Sequence, residues 1–362
     1  MSEQFDPMLA YVNSKRNGGL RVSMGGLNPT GASCIITDEK GNTKMVGKCQ
    51  RQVWYSKNKV PRTNEPDDHS MLLFGVGDAV ETELQEHWTK QGLTLADNLK
   101  VREVIGTDPD TGEPVYLSGE IDSLLRYFEC DEHGKVMSIS TDTAIGMEVK
   151  STRGHFSAKL LLGRGNKMYP IGYPKIEHLM QTGLYLHTRK VIEEAYGVSI
   201  PYFVLVYELV DSCLTSQFRI ELSNDYDGEI LVKTLDGRPI LPQTDPMVKL
   251  EQDIQYKPMQ GLTIENIVDR FMECHEKLKK DSPPDRDYEL RYSDKTFEKL
   301  TAQGDMTKTK SALFGKDINA SVGDWQCSYC DWKDECYPFG VLTARVESEE
   351  VSPEDAMREL GF

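Results

Sequence analysis

The hydrophobic pattern between residues 71 and 222 changes repeatedly between helical and strand periodicity. Apolar residues recur at helical spacing from Met71 to Gly92, and three strand-like segments follow, separated by the turn-forming runs TDPDTGEP and DEHGK. The stretch after Pro174 is again helical, with Gly197 as its stop signal, and two more strand-like segments follow it. The order helix, three strands, helix and two strands predicts an α/β fold with a mixed central sheet flanked by helices.

Composition excludes several classes of protein. No stretch of the chain approaches the ~20 consecutive apolar residues that a membrane-spanning helix needs. The first residues show no basic flank followed by an apolar run, so the sequence predicts no signal peptide. Internal repeats and low-complexity tracts are also absent, which argues against a linker, a solenoid or a fibrous protein. We therefore expect a cytoplasmic protein with no membrane partner.

The charge of the chain is strongly negative but unevenly distributed. Forty-two Lys and Arg residues against 58 Asp and Glu give a formal net charge of −16 at pH 7. This balance argues against a protein that coats nucleic acid nonspecifically. Residues 149–176, however, contain six basic residues and no Asp or Glu. The segment is either a solvated basic face or a local binding site for a polyanion, and composition leaves both open.

Two short segments carry a pattern of acids and a lysine. GEID ends at Asp122 on one predicted strand, VMSIS is the next predicted strand, and EVK, from Glu148 to Lys150, ends the further short strand AIGMEVK. Because side chains alternate across a strand, Glu148 and Lys150 project to the same side while Val149 enters the core. If Asp122 faces Glu148 on a paired strand, the two carboxylates can share Mg²⁺ or Mn²⁺. In isolation, so short a pattern has a simpler explanation: Asp122 belongs to a turn, and Glu148 and Lys150 form an exposed pair at the edge of a sheet.

The helix after Pro174 presents polar side chains on one face. His178, Gln181 and Tyr185 lie three and then four residues apart, which places them on the same side of a helix. Leucines elsewhere on the helix already supply apolar contacts. Polar side chains aligned in this way, after a basic loop, favour contacts with phosphate or with the predicted strands.

Together these motifs resemble the PD-(D/E)XK nuclease core of the RecB type, including its Q-x3-Y motif. The resemblance implies a restriction-endonuclease-like fold and metal-dependent hydrolysis of DNA. It further implies an exonuclease that acts on DNA ends or single strands, in recombination, repair or replication. Such a protein would be encoded by a bacterium, an archaeon or a virus.

The resemblance also implies a set of metal ligands. Asp122 and Glu148 would hold Mg²⁺ or Mn²⁺, with the backbone carbonyl of Val149 as an additional ligand. The family usually begins with a helical motif G-x3-H-E, whose His binds the metal. This chain departs from that motif, since Gly77 is followed four residues later by Glu81. Glu81 is then either a third carboxylate ligand or a solvated helix residue.

The remaining motif residues are implied to act on the substrate. Lys150 would position the attacking water and stabilise the charge that develops in the transition state. Gln181 and Tyr185 would position the phosphodiester backbone or the nucleophile. The predicted DNA-binding residues come from the basic segment and the helix that follows it: Arg153, Lys159, Arg164, Lys167 and His178.

Three of the eight cysteines are clustered, in Cys327-x2-Cys330-x5-Cys336. With no secretory signal, we expect reduced thiols, and the clustering then favours a metal site. In the iron–sulfur subset of RecB-like nucleases, which includes the AddB nuclease domain and the CRISPR-associated enzymes, one further cysteine precedes the core. Cys49, in CQRQVWY, resembles that element. The resemblance implies a [4Fe-4S] cluster joining the N- and C-terminal segments, although zinc accepts the same four sulfurs.

These assignments predict five segments along the chain. They are an N-terminal segment with the first cluster cysteine (1–70), the nuclease core (71–222), a helical or irregular extension (223–320), the cysteine cluster segment (321–340) and an acidic tail (341–362). No P-loop motif is present, so any helicase or recombination protein would be a separate partner. Two alternatives stay open: a DNA-binding assembly factor with a vestigial nuclease fold, and a zinc-clipped restriction-type endonuclease.

Overall fold

The computed structural model describes residue 12, residues 14 and 15, and residues 26–223, 228–243 and 256–360. The chain forms two compact units, each made of two stretches of sequence. The first unit comprises residues 1–47 and 67–275, and the second comprises residues 48–66 and 276–362. Parts of the predicted segments 1–70 and 223–320 lie outside the described residues.

The helices of the described chain are numbered in chain order. They are α1 (Gln50–Lys57), α2 (Asp68–Lys90), α3 (His155–Leu161), α4 (Ile176–His187), α5 (Arg189–Tyr196), α6 (Ile264–Leu278), α7 (Asp294–Ala302), α8 (Lys308–Lys316), α9 (Trp325–Ser328), α10 (Lys333–Cys336), α11 (Val341–Glu347) and α12 (Pro353–Glu359). Helix α2 begins with a side-chain cap, because the carboxylate of Asp67 accepts a hydrogen bond from the backbone N–H of Ser70.

A mixed six-stranded sheet forms the centre of the first unit. Its strands lie in sequence order, and β5 and β6 are parallel while every other neighbouring pair is antiparallel. A separate antiparallel pair comes earlier in the chain. The strands are β1 (Ser33–Thr37), β2 (Thr43–Gly47), β3 (Thr94–Thr107), β4 (Pro114–Cys130), β5 (Val136–Thr152), β6 (Phe203–Leu209), β7 (Leu214–Leu222) and β8 (Ile230–Lys233). The prediction of an α/β fold with a mixed central sheet is confirmed.

Helix α4 is the most deeply buried helix of the first unit. Parallel strands need a crossover connection, and α3, α4 and α5 provide it between β5 and β6. Every residue from Leu179 to Leu186 is buried, because α4 contacts β6, β7 and β8 as well as β2. Gly183 allows the close approach, since a Cβ there would lie 2.5 Å from the side chain of Ile230.

One predicted strand boundary is wrong. The sequence placed VMSIS and AIGMEVK on separate strands, whereas both belong to β5, so Glu148 lies on the strand directly next to β4. The pairing of β4 with β5 is interrupted, because the register shifts between Phe128 opposite Ile139 and Arg126 opposite Ala144. Local side-chain hydrogen bonds stabilise the intervening residues 140–143, and the strand then continues.

The predicted long helix after Pro174 is divided into α4 and α5. The division falls at Thr188, whose hydroxyl donates a hydrogen bond to the backbone carbonyl of Tyr185 at 2.8 Å. The predicted stop is confirmed, because Gly197 ends α5 in the left-handed conformation at φ 66°. Both predicted hairpin turns, at TDPDTGEP and DEHGK, connect antiparallel neighbours of the sheet.

The described part of the second unit consists of helices and irregular segments, without a strand. An aromatic cluster joins its two stretches of sequence, with the rings of Tyr55 and Trp332 stacked at a centroid distance of 6.1 Å. The indole N–H of Trp332 also donates to the backbone carbonyl of Val60 at 2.9 Å. Among the helices of the described ranges, none is both long and apolar enough to cross a membrane.

Candidate active site

The predicted acids meet where β4 and β5 stop pairing through their backbones. The regular pairing ends with Ser123 opposite Met147, so Asp122 and Glu148 are the next residues on the two strands. Instead of a further backbone pair, the Asp122 carboxylate accepts a hydrogen bond from the Val149 N–H at 2.6 Å. The structure therefore brings Asp122 directly against the EVK segment.

Glu148 is a completely buried carboxylate with two different oxygens. Its Oε1 atom lies 2.5 Å from Lys150 Nζ and accepts a hydrogen bond from Gln181 Nε2 at 2.7 Å. Its Oε2 atom is buried without a hydrogen-bond partner in the described part of the chain. One oxygen is thus held by the protein, while the other is left for a proton or a cation.

The charges at this site influence one another strongly. Burial raises the pKa of Glu148 to about 8, opposed by Lys150 and reinforced by Asp122 and Glu81. Burial opposes the charge of Lys150, but the carboxylates of Glu148, Asp122 and Glu81 outweigh it and raise the pKa of Lys150. A fully buried acid among other acids is a common feature of catalytic and metal-binding sites.

Glu81 reaches the site from helix α2. The amide of Gln85, one turn further along, lies 3.3 Å from Glu81 Oε1 and donates to the backbone carbonyl of Asp122 at 2.8 Å. Gly77 lets α2 approach β5, since a Cβ there would lie 2.9 Å from the hydroxyl of Ser151. The sequence analysis did not identify Gln85, although its spacing of four residues from Glu81 indicates that the two side chains lie on the same face of the helix.

Gln181 and Tyr185 lie beside Glu148 and are both buried. The amide of Gln181 donates to Glu148 and lies 3.4 Å from the hydroxyl of Tyr185, so the pair positions the carboxylate. Burial raises the pKa of Tyr185. Gly119 makes room for this ring, because a Cβ there would lie 2.7 Å from it. The glycine of GEID therefore has a packing role that the sequence did not reveal.

His178 contacts the site from the same face of α4. Its Nδ1 atom lies 2.8 Å from the hydroxyl of Tyr207, and the two rings are stacked. Burial, with the nearby charges of Lys150 and Lys175, holds the pKa of His178 well below its usual range. The imidazole is therefore neutral at pH 7. Sequence reasoning missed Tyr207, which β6 places opposite Lys150 in the parallel ladder.

The predicted DNA-binding residues outside α4 are exposed. Arg153 directly follows β5, and its guanidinium lies 3.0 Å from the imidazole of His69 on α2. The other three predicted basic residues are also exposed and lie on or after α3: Lys159, Arg164 and Lys167. Within the part of the chain that the structure describes, these four residues make no ion pair with the carboxylates of the site.

The four predicted cluster cysteines lie together in the second unit. Cys49, Cys327, Cys330 and Cys336 line one cavity. Burial raises the pKa of the first three, to about 11 for Cys330. The sulfur of Cys336 accepts hydrogen bonds from two guanidinium groups at 3.0 and 3.7 Å. These donors belong to Arg286 and Arg51, respectively.

The spacing of these sulfurs is wide. In the described chain, no three of them lie within 4.8 Å of one another. Four thiolates around a single tetrahedral zinc, with Zn–S bonds of ~2.3 Å, lie about 3.8 Å apart. Although they line one cavity, the four described sulfurs are therefore not arranged as the ligands of one metal ion or of a cluster.

Comparison with models of known protein families gives no match. No curated protein matches the chain either. Among solved structures, one described as "Crystal structure of SSO0001" matches with a TM-score of 0.36 and 16% sequence identity, over 62% of this chain and 81% of that chain. A TM-score this low shows neither a shared fold nor a shared activity. The PD-(D/E)XK resemblance therefore rests on the motifs alone.

Proposed function

We propose that this protein is a metal-dependent nuclease that hydrolyses phosphodiester bonds in DNA, acting on ends or single strands. The environment of Glu148 carries the proposal. Lys150 and Gln181 hold one of its oxygens, and the other is buried without a partner among the described residues. Leaving a buried polar atom unpaired costs ~1–3 kcal/mol. A cation shared with Asp122 would offset that cost.

The oxygen ligands available at this site suit Mg²⁺ or Mn²⁺. Glu148 and Asp122 would be its main ligands, with Glu81 and the carbonyl of Val149 completing the set. When bound, the metal supplies an activated water and neutralises charge on the scissile phosphate. Glu81 stands where the resembled family has a histidine, and a carboxylate is an equally suitable ligand for a hard cation.

The surrounding side chains would position the reacting groups and stabilise their charges. Lys150 would orient the attacking water and stabilise the negative charge of the transition state, from a position next to Glu148. Gln181 would keep the Glu148 carboxylate in one orientation, and Tyr185 would support Gln181. The exposed basic residues after β5 would bind the DNA backbone in a salt-dependent manner.

We also propose that the four cysteines of the second unit hold a [4Fe-4S] cluster. Four thiolates are the ligands such a cluster requires, and these four line one cavity. Zinc accepts the same four sulfurs, so metal analysis has to distinguish the two. Arg286 and Arg51 donate to the sulfur of Cys336, which suits a ligand that carries negative charge. Reduced thiols and a nucleic-acid substrate are consistent with an enzyme of the cytoplasm.

Cleavage assays with two active-site variants test the nuclease proposal. We expect wild-type protein to degrade end-labelled single-stranded DNA in Mg²⁺ or Mn²⁺. Glu148→Gln and Lys150→Ala should lower the rate about 10²–10³-fold or more and leave the circular dichroism spectrum unchanged. Glu83→Gln, an exposed acid on α2, is the matched control and should cleave normally. Full activity in both active-site variants would refute the assignment.

The same assay separates the two other candidates. A DNA-binding assembly factor with a vestigial nuclease fold would bind the labelled strands and cleave none of them in either metal. A zinc-clipped restriction-type endonuclease would cut closed circular DNA and contain zinc rather than iron. End-labelled substrates of both polarities, compared with a circle, would also reveal the direction of an exonuclease.

A further inference from the structure

The face of β5 that carries Glu148 and Lys150 continues beyond the candidate active site. Because side chains alternate, Thr152 lies on the same face, about 7 Å further along the strand. The Thr152 hydroxyl accepts a hydrogen bond from Lys175 Nζ at 3.1 Å and donates to the hydroxyl of Ser157 on α3 at 2.9 Å. Thr152 therefore links Lys175 and α3 at the end of the active-site face.

Lys175 is a partly buried ammonium group whose described hydrogen bond goes to a neutral hydroxyl. Within the described residues, no acidic side chain forms an ion pair with it. Burial lowers the pKa of Lys175, opposed by the charge of Glu177. Partial burial of a cation is unfavourable when no acidic side chain is close enough to form an ion pair with it. The position is therefore suited to an anion that arrives with the substrate.

Helix α3 carries an exposed aromatic ring one residue before the serine that contacts Thr152. Phe156 directly precedes the serine that Thr152 contacts, and its side chain is 87% exposed. The ring of His155 packs edge-on against it, with centroids 6.2 Å apart. Exposed basic residues, Arg153 and Lys159, lie three positions to either side in a segment without acids. Aromatic rings among cations are typical of surfaces that bind single-stranded nucleic acid by base stacking.

We propose that Lys175 and Phe156 form a nucleotide subsite next to the candidate active site. Lys175 binds the backbone phosphate adjacent to the scissile phosphate, and Phe156 stacks on an unpaired base. The subsite selects single-stranded over duplex DNA, because a base within a duplex is already paired and stacked. The inference rests on the proposed function, because the subsite is defined by its position next to the scissile phosphate. Binding to the subsite is measured separately, without cleavage.

The phosphate contact is tested by the salt dependence of binding. Anisotropy of a fluorescein-labelled oligothymidylate is titrated with metal-free protein over a series of salt concentrations. Lys175→Gln should reduce the slope of log affinity against log salt by about 0.7, the value for one lost contact with a single strand. Lys175→Arg should restore the slope, and Lys190→Gln, an exposed lysine on α5, should leave it unchanged. A wild-type slope in Lys175→Gln would overturn the phosphate assignment.

The stacking contact is tested by changing the ring while keeping an apolar side chain. Phe156→Leu should weaken binding of the single strand about 5- to 150-fold, the equivalent of one lost base stack. Phe156→Trp should bind at least as well as wild type, and a duplex should bind equally to all three proteins. Phe339→Leu, at a residue 59% exposed, is the control. Unchanged single-strand binding by Phe156→Leu would refute stacking.

Failure of the subsite and failure of the proposed function give different results. If wild-type protein cleaves DNA but neither variant alters binding, the subsite is wrong and the nuclease assignment stands. If both variants alter binding but wild-type protein never cleaves in Mg²⁺ or Mn²⁺, the chain binds single strands without acting as a nuclease.

Discussion

His178 illustrates how burial determines the state of a single side chain in the site. It was predicted as a DNA-binding residue, yet its Nδ1 atom is engaged by Tyr207 and its ring is stacked on that tyrosine. Two ammonium groups, Lys150 and Lys175, act on it electrostatically and disfavour a third positive charge. A neutral imidazole here can orient Tyr207 without repelling the neighbouring lysines.

This neutral state predicts how stability depends on pH. Burial and the two lysines hold the pKa of folded His178 well below 6.5, whereas the unfolded chain has the ordinary value of about 6.5. Below that pH the unfolded state binds a proton that the folded state does not. The contribution of His178 is therefore present above pH 6.5 and is lost as the pH falls, by up to ~1.4 kcal/mol per pH unit.

His178→Asn isolates this effect, because asparagine cannot titrate in this range. Urea unfolding of both proteins at pH 7.5, 6.5 and 5.5 gives the free energy of unfolding at each pH. We expect the wild type to lose more stability than the variant at pH 5.5. Parallel pH profiles for the two proteins would show that the histidine is protonated in the folded state.

At the level of the elements, the site depends on how closely α4 approaches β4. Gly119 makes this possible, since a Cβ there would lie 2.7 Å from the ring of Tyr185 and 3.0 Å from Pro29. Leu117 and Ile121, which lie on the same face of β4 as Gly119, are both buried, so little space is available for relaxation. The absence of a side chain at Gly119 therefore determines how closely Tyr185 can approach the acids of the site.

Gly119→Ala should lower the free energy of unfolding by about 1–3 kcal/mol, the usual cost of overpacking. Displacement of Tyr185 should also loosen Gln181 and reduce cleavage. Gly315→Ala is the matched control, because its new methyl group in α8 would have no atom within 4 Å and should stabilise the helix by ~1 kcal/mol. Denaturant unfolding measures both changes. Wild-type stability of Gly119→Ala would mean that the ring shifts freely.

Local periodicity predicted the elements that are long and regular. Helix α2 and the strands β3, β4 and β6 follow from spacing within the sequence, since their patterns are set by neighbouring residues. The sequence did not predict β1, β2 and β8, which have five, five and four residues. In strands this short, the partner rather than the local pattern determines the structure.

The sequence predicted only those residues of the candidate site that belong to a recognisable motif. Asp122, Glu148 and Lys150 lie on two neighbouring strands, and alternation alone places the last two on one face. Tyr207 and Lys175 could not be found in this way. Their positions depend on the parallel pairing of β5 with β6 and on the crossover between these strands. The local spacing of residues indicates neither the pairing nor the path of the crossover.

At the level of the whole molecule, the second unit is built from stretches far apart in the sequence. Residues 48–66 contact residues 276–362 through backbone and side-chain hydrogen bonds. The Thr63 N–H donates to the Asp331 carbonyl at 2.9 Å, and the Arg51 guanidinium donates to the Pro284 carbonyl at 2.6 Å. The four cysteines lie among these contacts. A cluster that joined them would close a loop of about 280 residues and reduce the entropy of the unfolded chain.

This arrangement predicts that the second unit loses both colour and solubility when one cysteine is removed. Wild-type protein purified without oxygen should be brown and contain about four iron and four sulfide per chain, while Cys330→Ala should be colourless and poorly soluble. Cys213→Ala, at an exposed cysteine of the first unit, should keep its colour. Glu148→Gln should also keep its iron while losing cleavage, because its carboxylate belongs to the first unit. Stoichiometric zinc without iron in the wild type would replace the cluster with a zinc site.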